Sequence, residues 1–148
     1  MPQAASEFVE KIVSRDKVFA VIIRAALPHE GYNFVSEDKD SMQVGVNHYK
    51  AHTIAKPHFH PPLERQVFST VEVLHIDSGE AVLQLYDDDQ RRLHKTVVGA
   101  GDTIILLAGG HALEFSKDTR IVEVKQGPYF GREKDKIFFK DSESETPA

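Results

Sequence analysis

The chain has 148 residues, enough for one hydrophobic core, and its 41% hydrophobic and 28% charged residues are an ordinary globular balance. A formal net charge of −5 argues against nucleic acid as a partner, because phosphate binding needs a concentrated positive surface. Cysteine is absent, which excludes disulfides and thiolate ligands, so any metal must be held by nitrogen and oxygen donors.

Ala4 to Ser14 sets Ala5, Phe8, Val9 and Ile12 at helical spacing and predicts one short N-terminal helix. The polar start, Met1 to Ser6, lacks the basic and apolar character of an export signal, so a cytoplasmic location is expected. Val18 to Ile23 is β-branched and aromatic and reads as a strand. Pro28 to Ser41 reads as a loop, and Gln43 to Tyr49 alternates Val44, Val46 and His48 with Gly45, Asn47 and Tyr49 as a strand does. After Pro57 the predicted strands are Val71 to Ile76, Ala81 to Tyr86, His94 to Val98, Thr103 to Leu107, Ala112 to Phe115 and Ile121 to Gln126. Turn chemistry separates them at Asp77-Ser78-Gly79-Glu80, Asp87-Asp88-Asp89, Gly99-Ala100-Gly101-Asp102 and Lys117-Asp118. Short strands at this pace imply an all-β, antiparallel barrel or two-sheet fold. No apolar run is long enough to span a bilayer, so no membrane partner is expected. A single domain over residues 1–140 is expected, followed by a disordered Ser/Glu/Pro-rich tail from Asp141 (141–148).

The run His58-Phe59-His60 carries the chemistry. Residues i and i+2 of a strand project to one side, so both imidazoles can meet one ion. Glu72 shares a strand face with Leu74 and Ile76, and a buried carboxylate there calls for a compensating cation. His111 follows Gly109-Gly110, a turn able to deliver a third imidazole. His58, His60, Glu72 and His111 would leave coordination positions open, as a catalytic rather than a structural site does. Zinc, nickel, iron and manganese all suit such donors. His29, His48, His52, His75 and His94 read as ordinary surface or core histidines, and Asp87-Asp88-Asp89 and Arg91-Arg92-Leu93-His94-Lys95 read as solvated.

At these residues the chain resembles the cupin superfamily. Its first motif runs Gly, five residues, His-x-His, three or four residues, Glu, six residues, Gly. Two glutamates compete for the carboxylate position. Glu64 has the family spacing from His60 but Val71 where the glycine belongs, whereas Glu72 has Gly79 after six residues. Pro61-Pro62 favours a looped insertion carrying Glu64 and Arg65, so Glu72 is taken as the ligand. The second motif resembles Gly101 to His111, with Leu107 in place of proline and Phe115 at the asparagine position. The initial glycine of the first motif is replaced by His52.

The likeness covers Val44 to Gln126 and is greatest to small single-domain cupins of the mannose-6-phosphate-isomerase-like, polysaccharide-associated kind. It implies a double-stranded β-helix (jelly-roll) with its core over 43–130, a divalent metal, a homodimer, and a small polar substrate such as a sugar derivative. The implied activity is isomerisation or epimerisation. An Fe(II)-dependent dioxygenase and a non-enzymatic sensor or binding barrel are the alternatives. The apolar strand Val18 to Ile23 is the expected pairing surface of the dimer. Arg65, a loop guanidinium beside the site, suits a carboxylate or phosphate ligand, and Gln126 either reaches the pocket mouth or caps backbone groups at its strand end. Alternation on the last strand predicts Val122 and Val124 inside, Glu123 and Lys125 outside.

Overall fold

The computed structural model describes residues 7–28 and 32–141, so His29, the first residues of the expected N-terminal helix and the tail beyond Asp141 lie outside the described part. The described chain is all-β, with one four-residue helix. Ten strands follow in order: β1 (Val9–Ser14), β2 (Lys17–Ile23), β3 (Tyr32–Phe34), β4 (Gly45–Asn47), β5 (Glu72–Ser78), β6 (Glu80–Tyr86), β7 (Arg92–Gly99), β8 (Thr103–Leu106), β9 (Gly110–Phe115) and β10 (Arg120–Lys125). The helix α1 (Arg132–Asp135) comes last. A five-stranded sheet runs β1-β2-β8-β5-β10, a three-stranded sheet runs β7-β6-β9, and β3-β4 form a hairpin. All of these pairings are antiparallel.

The expected N-terminal helix is a strand over its described C-terminal half. Arg15 and Asp16 both take positive φ, 50° and 61°, as a two-residue hairpin of matching twist requires, and they fold β1 back on β2. The helical spacing of Val9 and Ile12 has another cause. Val9 is buried on one face of the five-stranded sheet and Ile12 on the other, so an odd spacing is what a doubly buried strand shows.

Two cores account for the burial. Ile12, Ala20, Ile22, Leu74, Ile76, Ile104 and Leu106 from the large sheet meet Ala81, Leu83, Leu85 and Val98 from the small one. On the opposite face of the large sheet, Val9, Val21, Ile23 and Ile105 are covered by Val35, with Met42, Val44 and Val46 packed alongside. Covering on both sides explains why β2 and β8 read as continuous apolar runs. It also removes β2 as a pairing surface: the strand lies between β1 and β8, and its apolar faces are spent within the chain.

One polar cluster ties the end of β2 to the β7–β8 turn. The buried Asp102 carboxylate accepts hydrogen bonds from Gly99 N (3.0 Å), Ala25 N (2.9 Å) and Arg24 Nη1 (3.1 Å). Arg24 also donates to Val97 O (2.8 Å) and Thr96 Oγ1 (3.1 Å). The six strands predicted after Pro57 agree closely with β5 to β10, while residues 48–70, between β4 and β5, form no strand.

Candidate metal centre

Glu72 opens β5 and is only 8% exposed. Burial follows from alternation, since Glu72, Leu74 and Ile76 share the face turned to the inner core. His111 stands on β9 opposite Leu85 of β6, and directly opposite residues share a face, so its imidazole points to the same side as Leu85 with 31% of the side chain still exposed. Its Nε2 lies 3.3 Å from Glu72 Oε2. Burial holds the His111 imidazole below its ordinary pKa, partly offset by the Glu72 carboxylate. The ring is therefore mostly neutral at pH 7, with a nitrogen lone pair available.

The glycine turn before His111 works as the sequence indicated. Gly109 has φ 68°, and a Cβ there would run into the Tyr86 carbonyl oxygen and lie 2.7 Å from the Phe19 ring. Gly109→Ala is expected to destabilise the protein by about 2 kcal/mol, from the left-handed backbone and the clash together. Thermal unfolding followed by circular dichroism measures it, and an unchanged midpoint would show that the turn tolerates a side chain.

Lys125 is the neighbour that sequence alternation misassigned. Val122 and Val124 are 47% and 55% exposed, so they point outward. Register gives the reason: Lys125 lies opposite Glu72, Glu123 opposite Leu74 and Ile121 opposite Ile76, which puts Ile121, Glu123 and Lys125 on the inner face. Lys125 Nζ is 3.6 Å from Glu72 Oε1 and 2.9 Å from Glu123 Oε1. That second contact keeps the Glu123 carboxyl below the usual carboxylate range and raises the Lys125 ammonium above its own.

Beside the Glu72–His111 pair lies a cavity of about 490 Å³, within the range of small-molecule sites. Residues 135–141 form one wall, with the Phe139 ring edge-on to Tyr86 at 5.1 Å between centroids. Tyr86 donates to Asp141 Oδ2 at 2.9 Å, and Arg92 Nη1 holds the same oxygen at 3.2 Å. Burial, then the Asp141 hydrogen bond, push the Tyr86 hydroxyl up to about 12, so it acts as a donor. The Gly127-Pro128-Tyr129-Phe130 segment, considered as a cover, leaves both rings exposed. Neither Tyr86 nor the 135–141 wall carries a sequence motif.

His58 and His60 are placed differently. Their rings stand edge to face at 5.2 Å between centroids, but on irregular chain rather than a strand. Every residue from His48 to Thr70 is exposed, Glu64 and Arg65 included. Pro57, Pro61 and Pro62 remove three backbone donors from this stretch, so only short pieces such as His58 to His60 could pair as a ladder. Among the described residues no three His, Asp or Glu side chains are grouped to hold an ion. The four expected ligands thus stand as two separate pairs, Glu72 with His111 and His58 with His60, and are not brought together within the described chain. Gln126 takes its capping role: its Oε1 accepts from Val71 N, fixing the root of the exposed segment.

Among the described residues no helix is long and apolar enough to cross a membrane. Compared with known proteins, the chain matches no family model, no curated protein and no solved structure.

Proposed function

We propose that this chain is a metal-binding barrel of the cupin kind whose cavity takes a small polar metabolite, and that it isomerises or epimerises that molecule. The observation that carries the reading is a carboxylate only 8% exposed, Glu72, held 3.3 Å from an imidazole beside a cavity of about 490 Å³. A buried carboxylate and a neutral imidazole are donors for a first-row divalent ion, and His58 and His60 would supply the remaining nitrogens once their exposed segment is brought to this pair. Such an ion, when bound, polarises a substrate carbonyl and so acidifies the adjacent C–H.

The chain's own residues supply the rest. Tyr86, kept protonated, and Asp141, held in place by Arg92, give the cavity fixed polar groups to orient hydroxyls. Beyond the expected ligands, Asp135 and Asp141 are the carboxylates that line the cavity and could accept a proton there. A binding or sensor role is the second reading, favoured by the 135–141 segment closing one side of the cavity.

Metal content after dialysis against zinc, nickel or manganese tests the first part. About one tightly held ion per chain is expected, with His58→Ala losing most of it and Glu64→Ala little. No retained ion with any of the three would defeat the metal reading. Deuterium uptake from D₂O into aldose and ketose phosphates, followed by NMR, tests the chemistry. Ligand-induced stabilisation without exchange would select the binding role.

A further inference from the structure

We infer that residues 48–70 form an exchanged arm, which adds to the open edge of β9 in a second copy and brings His58 and His60 to that copy's Glu72 and His111. The inference rests on the metal reading for its ligands but not for the exchange itself.

The arm makes poor sense on its own. Ile54, Phe59, Leu63 and Phe68 are 84%, 86%, 63% and 93% exposed, an apolar content that a segment destined for water does not carry. Exposure runs unbroken from Tyr49 to Ser69, so this stretch is not buried against the described body from which it springs. Its root is fixed, since Val71 is 1% exposed and its N–H is bonded to Gln126. The 23 residues can extend over roughly 80 Å, far beyond the length of one strand.

The receiving surface lies beside the half-formed site. β9 pairs only with β6 among the described residues, leaving its other side an open ladder edge. Such an edge is a template for another strand. A strand added there would lie about 4.8 Å from β9, with alternate residues on the face His111 occupies. His58 and His60 are two apart and so arrive on one face together. Pairing there is confined to the stretch around His58 to His60: an edge strand tolerates Pro57 when its missing donor faces away from β9, and Pro61-Pro62 end the ladder after His60.

Charge supports the same occupant. Lys50, Lys56 and Arg65 against Glu64 give the arm a net +2, so the remainder of the −5 chain carries −7. A second copy therefore offers the arm an oppositely charged body. Two copies can exchange arms about one twofold axis, which closes the assembly and makes two sites.

Complementation tests it. Two differently tagged full-length chains, one His58→Ala/His60→Ala and the other Glu72→Ala/His111→Ala, are each expected to lose tight Zn²⁺ binding. Their mixed dimer, purified through both tags after co-expression, should hold about one ion per pair of chains. A mixed dimer without zinc, while wild type binds it, overturns the exchange. If wild type binds no zinc, the metal reading fails, and crosslinking decides the arm alone. The chain has no cysteine, so Phe59→Cys in one tagged copy and Phe115→Cys in the other should give an oxidised product containing both tags. A single chain carrying both substitutions that oxidises only within itself, or a monomer by light scattering, overturns the proposal.

Discussion

Asp102→Ala is expected to destabilise the protein by about 3–5 kcal/mol, the cost of stranding a part-buried cation, and to lower its melting temperature by about 10 °C. Asp102 accepts from two backbone amides and from Arg24, whose side chain is 26% exposed. Truncation leaves the Gly99 and Ala25 N–H groups without their acceptor at once. The turn then loses the contact that joins it to the end of β2. Arg24 retains Glu10 at 3.5 Å together with Val97 and Thr96, so the loss stops short of unfolding. Asp102→Asn keeps one acceptor oxygen and should cost about half as much. Arg15→Ala makes the contrast: its pair with Asp89 is exposed on both sides, 73% and 49%, and should change stability by less than about 0.5 kcal/mol. Urea unfolding of the three variants gives the order. An Asp102→Ala midpoint equal to that of Arg15→Ala would show the cluster to be ornamental.

Much of this fold could be read from the chain because its later strands are short, half-buried and bounded by turn residues. β5 to β10 each lie within a few residues of their expected limits, because alternation and the Gly and Asp turns report the same boundaries. Where the signal failed, local sequence had two meanings. Val9 and Ile12 serve two cores from one strand, which mimics a helical face. Val122 and Val124 are apolar but face out, because β10 is an edge strand whose register is fixed by Glu72, Leu74 and Ile76 opposite. Glu72 and His111 were legible for the opposite reason: each has a single role, one as a carboxylate on an apolar face, the other as an imidazole behind a glycine turn. Lys125 was not, since its approach to Glu72 depends on cross-strand register, which a single strand's pattern does not contain. His58 and His60 are recognisable as a pair from spacing alone, whereas their place relative to Glu72 depends on where the arm goes.

Glu72→Ala is expected to weaken zinc binding by about 100-fold or more, since it removes a coordinating oxygen and the charge that offsets the ion. Lys125 makes this more informative. Its ammonium, 3.6 Å from Glu72 Oε1, competes with any ion for that carboxylate. Lys125→Met removes the competitor and should tighten zinc about tenfold. The gain must disappear when Glu72 is absent, so a double-mutant cycle isolates the Lys125–Glu72 coupling from any general change in the cavity. Acid acts in the same direction as losing Glu72. Burial holds the His111 imidazole below its ordinary pKa, so its nitrogen stays unprotonated at pH 7, and affinity should fall only as pH drops towards that lowered value. Competition against a chromophoric chelator measures all four proteins of the cycle. Zinc affinity that is the same in wild type and Glu72→Ala would show that Glu72 is a salt-bridge partner of Lys125 and His111 and not a metal ligand. Glu64, the carboxylate with the better spacing from His60, would then be the one to test next.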